Sequence, residues 1–69
     1  MTGILILNQG RPDIALETGF LYGGLHCGDC FCCLVNDKWI NVRLEFDTEW
    51  LLVHRGKNIP ICYGAKVRI

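Results

Sequence analysis

The chain has 69 residues, seven Lys/Arg balanced by seven Asp/Glu, and a hydrophobic share of 51%. That length fits one domain, residues 1–69, with a small core. The composition excludes a disordered, highly charged tail, and the charge balance excludes a global field drawing the protein to nucleic acid or membrane. No apolar run approaches the ~18–20 residues that a membrane-crossing helix takes.

Residues 3–8 (GILILN) form a short apolar run ending in turn-forming residues 8–13, which predicts a strand, a turn and a second strand over residues 14–17. A helix starting at Pro12-Asp13 is the competing reading, but Thr18-Gly19 allows barely one turn. Residues 20–25 are apolar but contain Gly23-Gly24, and they read as a kinked or bulged strand or a loop packed on the core. His26-Cys27-Gly28-Asp29 is a tight corner, with Gly28 free to adopt positive φ.

Residues 30–35 and 38–46 alternate apolar and polar around Asn36-Asp37, the pattern of a β-hairpin closed by a two-residue turn. That register pairs Val35 with Lys38, Cys33 with Ile40 and Phe31 with Val42. It turns Phe31, Cys33, Val35, Ile40, Val42, Leu44 and Phe46 inward. Residues 50–53 are a further strand after Asp47-Thr48-Glu49. A two-residue loop there puts Trp50 beside Glu45 on the outer face, and a three-residue loop puts it opposite Phe46 in the core. Residues 55–58 read as a polar loop closed by Pro60, and residues 65–69 as a last short strand. The expected fold is all-β, a small five- to six-stranded SH3-like barrel or rolled antiparallel sheet.

Several motifs together, LHCGDC (25–30), Lys38-Trp39, Arg43-Leu44-Glu45, WLLV (50–53) and VRI (67–69), resemble a family of short uncharacterised proteins, a domain of unknown function. Its members occur in Gram-positive bacteria and their phages or conjugative elements. The resemblance covers roughly residues 19–69, and Cys32 and Cys33 depart from it. It implies a small all-β, SH3-like domain, supplies no activity, and suggests a setting in element maintenance or in countering host defence.

Cys27-x-x-Cys30 is half of a tetrahedral zinc knuckle, which His26, His54 or Cys62 would have to complete. A full zinc signal needs a second such pair, and Cys32 and Cys33 project to opposite faces. Thiols acting as small packing hydrophobes are the ordinary alternative. A redox role for the pair is weaker, because such pairs sit at a helix N-terminus and no helix follows.

Trp39, Asn41, Arg43 and Glu45 alternate onto one strand face, and Trp50 joins them in the two-residue register. Aromatic residues with Arg are typical interface anchors, so this face is the candidate partner-binding site. The bland reading has Trp39 capping a barrel end and Arg43–Glu45 as a solvated ion pair.

Six of the seven basic residues lie in residues 36–69, beside four acids. Small barrels bind single-stranded nucleic acid on stacked aromatics, and that is the second reading. A structural zinc domain is the third. The chain contains no serine and shows no phosphate loop or nucleophile–base pattern, so a binding protein is expected rather than an enzyme. The partner is expected to be another protein, with a homodimer also compatible with so small a domain. Residues 4–7 are too short for a signal-peptide apolar region, and five cysteines form an odd set, so the expected setting is the cytoplasm with reduced thiols.

Overall fold

The computed structural model describes residues 1–69 and contains seven strands and no helix. These are β1 (Thr2–Asn8), β2 (Arg11–Leu16), β3 (Cys30–Val35), β4 (Lys38–Asp47), β5 (Glu49–His54), β6 (Lys57–Pro60) and β7 (Lys66–Arg68). They form one sheet in the order β2-β1-β7-β3-β4-β5-β6, and every neighbouring pair is antiparallel. The edges β2 and β6 do not pair with each other. The sheet is therefore open: of the two forms expected from sequence, a barrel or a rolled antiparallel sheet of five to six strands, the closed barrel is not formed, and the strands number seven.

The central hairpin follows its sequence. Val35 pairs Lys38, Cys33 pairs Ile40 and Phe31 pairs Val42. Asn36 and Asp37 both have positive φ, 50° and 65°, as a type I′ turn demands and as Asn and Asp tolerate best. Gln9-Gly10 and Arg55-Gly56 turn the chain with the same signs of φ.

The Arg55-Gly56 turn explains the extra strand. Two residues suffice to reverse the chain, so Lys57 and Asn58 enter β6 instead of a loop, pairing with His54 and Val53. Pro60 ends that strand without loss because β6 is an edge and needs no further donor.

The core consists of Leu5, Ile14, Leu25, Phe31, Cys33, Val42, Leu44, Leu52 and Val67. Every strand except β6 contributes to this one cluster, so the sheet must curl around it. Each large aliphatic side chain buried there stabilises the fold by about 1.5–3 kcal/mol. Phe46 departs from the expected core set: it shares the inward face but stands at the open end of the curl, 53% exposed.

The segment between β2 and β3 ties the edge strand β2 to β4, an interior strand of the curl. Near its start the N–H of Tyr22 donates to Ile14 O at 2.8 Å and the N–H of Leu25 to Pro12 O at 3.2 Å, both on β2. Near its end Gly28 N–H donates to Leu44 O at 2.7 Å and Leu44 N–H to Asp29 O at 2.8 Å, both engaging β4. Residues 20–25 are thus a loop packed on the core through Leu25 rather than a true strand, and they cover the β2 edge against stray pairing.

Candidate functional site

The outward face of β4 and its neighbours carries the candidate site. Alternation along β4 buries Val42 and Leu44 and turns Trp39, Asn41, Arg43 and Glu45 the other way. Arg43 Nε donates to Glu45 Oε2 at 2.6 Å, and both side chains keep contact with solvent. Such a pair contributes little to stability but fixes both side chains on the face.

On β7, Val67 is buried and its neighbours Lys66 and Arg68 alternate outward. Cys32 lies between Arg68 on one side and Asn41 on the other. From there Arg68 reaches across β3 to Trp39, its guanidinium carbon 4.1 Å from the ring centroid. Cation–π stacking of this kind contributes about 0.5–1 kcal/mol at an exposed position. It holds the indole, 40% exposed, in one orientation.

Asn41 accepts a hydrogen bond from Cys32 Sγ at 3.0 Å through its Oδ1, and its backbone carbonyl accepts one from His54 Nδ1 at 2.7 Å. A carbonyl only accepts, so that ring nitrogen carries the proton. A groove of about 550 Å³ runs over Cys30, Cys32, Asn41, Arg43, Val53 and Arg68. A second hollow of about 420 Å³ includes Ile4, Trp39 and Lys66 in its lining. Arg68 lines one and Trp39 the other, so their stack stands between the two.

Trp50 is not part of this face. It pairs with Phe46 across the β4–β5 turn, which places it on the inward side. Thr48 makes this register by taking a positive φ of 59°, so the reversal uses the odd loop length rather than the even one. Trp50 is half-buried against the core cluster.

Cys27 and Cys30 are both exposed and free, and Cys30 Sγ lies 3.6 Å from Gly28 O. No three His, Cys, Asp or Glu side chains gather where a metal ion would be held. Cys32 and Cys33 point to opposite faces, as alternation requires. Burial, with Cys62 nearby, pushes the Cys33 thiol above its ordinary pKa, and burial likewise raises Tyr63.

Two features escape sequence reasoning. The Trp39–Arg68 stack joins residues 29 positions apart in sequence, and its only local signal is the alternation of Lys66, Val67 and Arg68. Asp13, 3% exposed, accepts N–H bonds from Ile14, Gly23 and Gly24 on a single oxygen.

An open, all-antiparallel seven-stranded sheet with an aromatic and charged outer face defines a small all-β domain. The chain belongs to the family described as a domain of unknown function, DUF5348, whose model matches residues 4–69. It is similar over 100% of both chains to a protein from Ruminococcus gnavus of known crystal structure, with 39% sequence identity and a TM-score of 0.85. No curated protein matches it. No helix of the chain is long and apolar enough to cross a membrane.

Proposed function

We propose that the domain is a non-catalytic binding module whose outer face, centred on Trp39, Arg43, Glu45 and Arg68, captures another protein. The observation that carries this reading is the Trp39–Arg68 stack at 4.1 Å beside the Arg43–Glu45 pair. A large aromatic side chain held rigidly in solvent loses little conformational freedom on binding, which is the property of an interface anchor. Arg43 is matched by Glu45, whereas Lys66 and Arg68 bring cations that form no salt bridge. The partner that fits is a segment combining an apolar side chain with acids. The setting is the cytoplasm, and the sequence resemblance favours carriage on a mobile element.

Single-stranded nucleic acid is the second reading, favoured by three outward cations, Arg43, Lys66 and Arg68, beside an exposed indole. Balanced overall charge weighs against it. Capture from host lysate, compared with a Trp39→Ala/Arg43→Ala double variant, tests the first reading: the variant should remain folded and lose its partner. A variant that unfolds would make these residues structural. Oligonucleotide binding that falls steeply between low and moderate salt would establish the second reading instead. A self-associating chain whose association the double variant abolishes would identify the partner as a second copy.

A further inference from the structure

The curled sheet has an open end, and its lining differs in kind from the outer face. Gly10, Phe46, Glu49, Trp50, Ile61 and Tyr63 surround a hollow of about 450 Å³. The chain has seven aromatic residues in all, and three of them meet here.

Phe46 and Trp50 have ring centroids 5.0 Å apart and planes inclined at 70°, so they form two walls near a right angle. Phe46 is 53% exposed although Leu44 and Leu52 on the same face are buried. The face of an aromatic ring is the negative part of its quadrupole, which attracts cations. Trp50 already accepts one. The Arg11 guanidinium lies 5.4 Å from its ring centroid, held by a 2.9 Å bond to Leu25 O, and Arg11 is not part of the hollow's lining.

Within the lining, Glu49 carries the formal charge and no Lys or Arg is present. Asp47, its partner across the turn, is not part of that lining. Aromatic walls at a right angle with an acid on the rim suit a cation clad in methyl groups. Such a cation loses little hydration on entry and can rest against the exposed Phe46 ring beside the acid. A bare ammonium is strongly hydrated and finds too few acceptors here.

We propose that the open end of the sheet is a binding site for a trimethylammonium group. It is distinct from the Trp39 face, and its test stands apart from that of the protein-binding reading.

The test is a titration of the ¹⁵N-labelled full chain followed by NMR, in which the two indole N–H signals report Trp39 and Trp50 separately. Choline and Nε-trimethyl-lysine are added in separate series to distinguish a small-molecule source from a side-chain source. The neutral isostere 3,3-dimethylbutanol is the control. Either cation should shift the Trp50 signal saturably and leave Trp39 unmoved, and the neutral isostere should bind about three- to thirty-fold more weakly, as a cation–π contribution predicts. Phe46→Leu, which keeps apolar bulk and removes the ring, should weaken the cation several-fold with a native spectrum, and Tyr63→Leu serves the same purpose if that variant unfolds. Equal binding of the isostere, a shift confined to Trp39, or no saturable shift at tens of millimolar overturns the proposal.

Discussion

Removing the Asp13 carboxylate should cost more stability than its place beside a turn suggests. Its Oδ1 accepts N–H bonds from Ile14 at 2.8 Å, Gly24 at 2.9 Å and Gly23 at 3.2 Å, and the side chain is 3% exposed. Asp13→Ala orphans all three donors. An unsatisfied buried donor costs about 1–3 kcal/mol. Ile14 is fully buried and should show most of that cost, whereas the glycine loop can turn its two N–H groups to water at part of it. The sum is about 2–4 kcal/mol. At roughly 0.05–0.15 kcal/mol per residue, a chain of this length has about 3–10 kcal/mol in total. The variant therefore loses a large share of its stability, in part because the same loop seats Leu25 in the core. Urea unfolding followed by tryptophan fluorescence measures this directly. With a slope near 1 kcal/mol per molar, the midpoint should fall by about 2–4 M. Asp13→Asn retains one acceptor oxygen and should lose about half as much. A loss below about 0.5 kcal/mol for Asp13→Ala, which is ordinary for a surface site, would refute the view that this carboxylate anchors the loop.

Gly3→Ala should destabilise by about 1–3 kcal/mol in the same assay, because overpacking against backbone cannot relax: an added Cβ would meet Ala15 O at 2.6 Å and Ile14 Cγ2 at 2.7 Å. Thr48→Asn should gain roughly 0.5–1 kcal/mol, since a β-branched residue at φ 59° is strained where Asn is tolerated. Cys33 should resist iodoacetamide in the native protein at pH 8 while Cys27 and Cys30 react, as checked by mass spectrometry, because Cys33 is 1% exposed and its thiol is pushed up by burial and by nearby Cys62. With the folded-state value above the unfolded one of about 8.5, the Cys33 contribution to stability is complete below that pH and lost as pH rises towards the folded value. Cys33→Ala should therefore flatten the alkaline slope of stability.

The parts of the fold written in local pattern were legible in the sequence. The β3–β4 hairpin has strict alternation and an Asn-Asp turn, so its register and inward face follow directly. The parts decided at a distance were not. Nothing near Lys66–Arg68 indicates that this three-residue strand would lie in the middle of the sheet, because its partners are β1 and β3. Trp50 depended on whether one threonine would take a left-handed conformation, a choice made by packing Leu44 opposite Leu52 rather than by turn propensity. Of the outer face, the β4 residues follow from alternation alone, whereas the Arg68 cap on Trp39 exists only once β7 is seated. Asp13 read as a turn residue because Asp before an apolar run usually is one. Its role emerges only when Gly23 and Gly24 arrive from ten residues away.

The position of β7 joins the fold to the proposed site. Residues of β1 and β2 form one hairpin and β3 to β6 a continuous meander, and β7 is the strand that hydrogen-bonds both. Its middle residue, Val67, is fully buried between them, and its outward residue, Arg68, holds Trp39. Three residues thus close the core on one side and set the proposed binding surface on the other. Damage to Val67 should unfold the sheet and disorder the face together, so loss of binding in such a variant carries no information about the face. Arg68→Lys separates the two roles. It retains the charge and the strand but gives up the flat guanidinium stack, which Lys does not reproduce. The fold should then survive while Trp39 loses its fixed orientation, and binding through a held indole should weaken with no change in the unfolding midpoint.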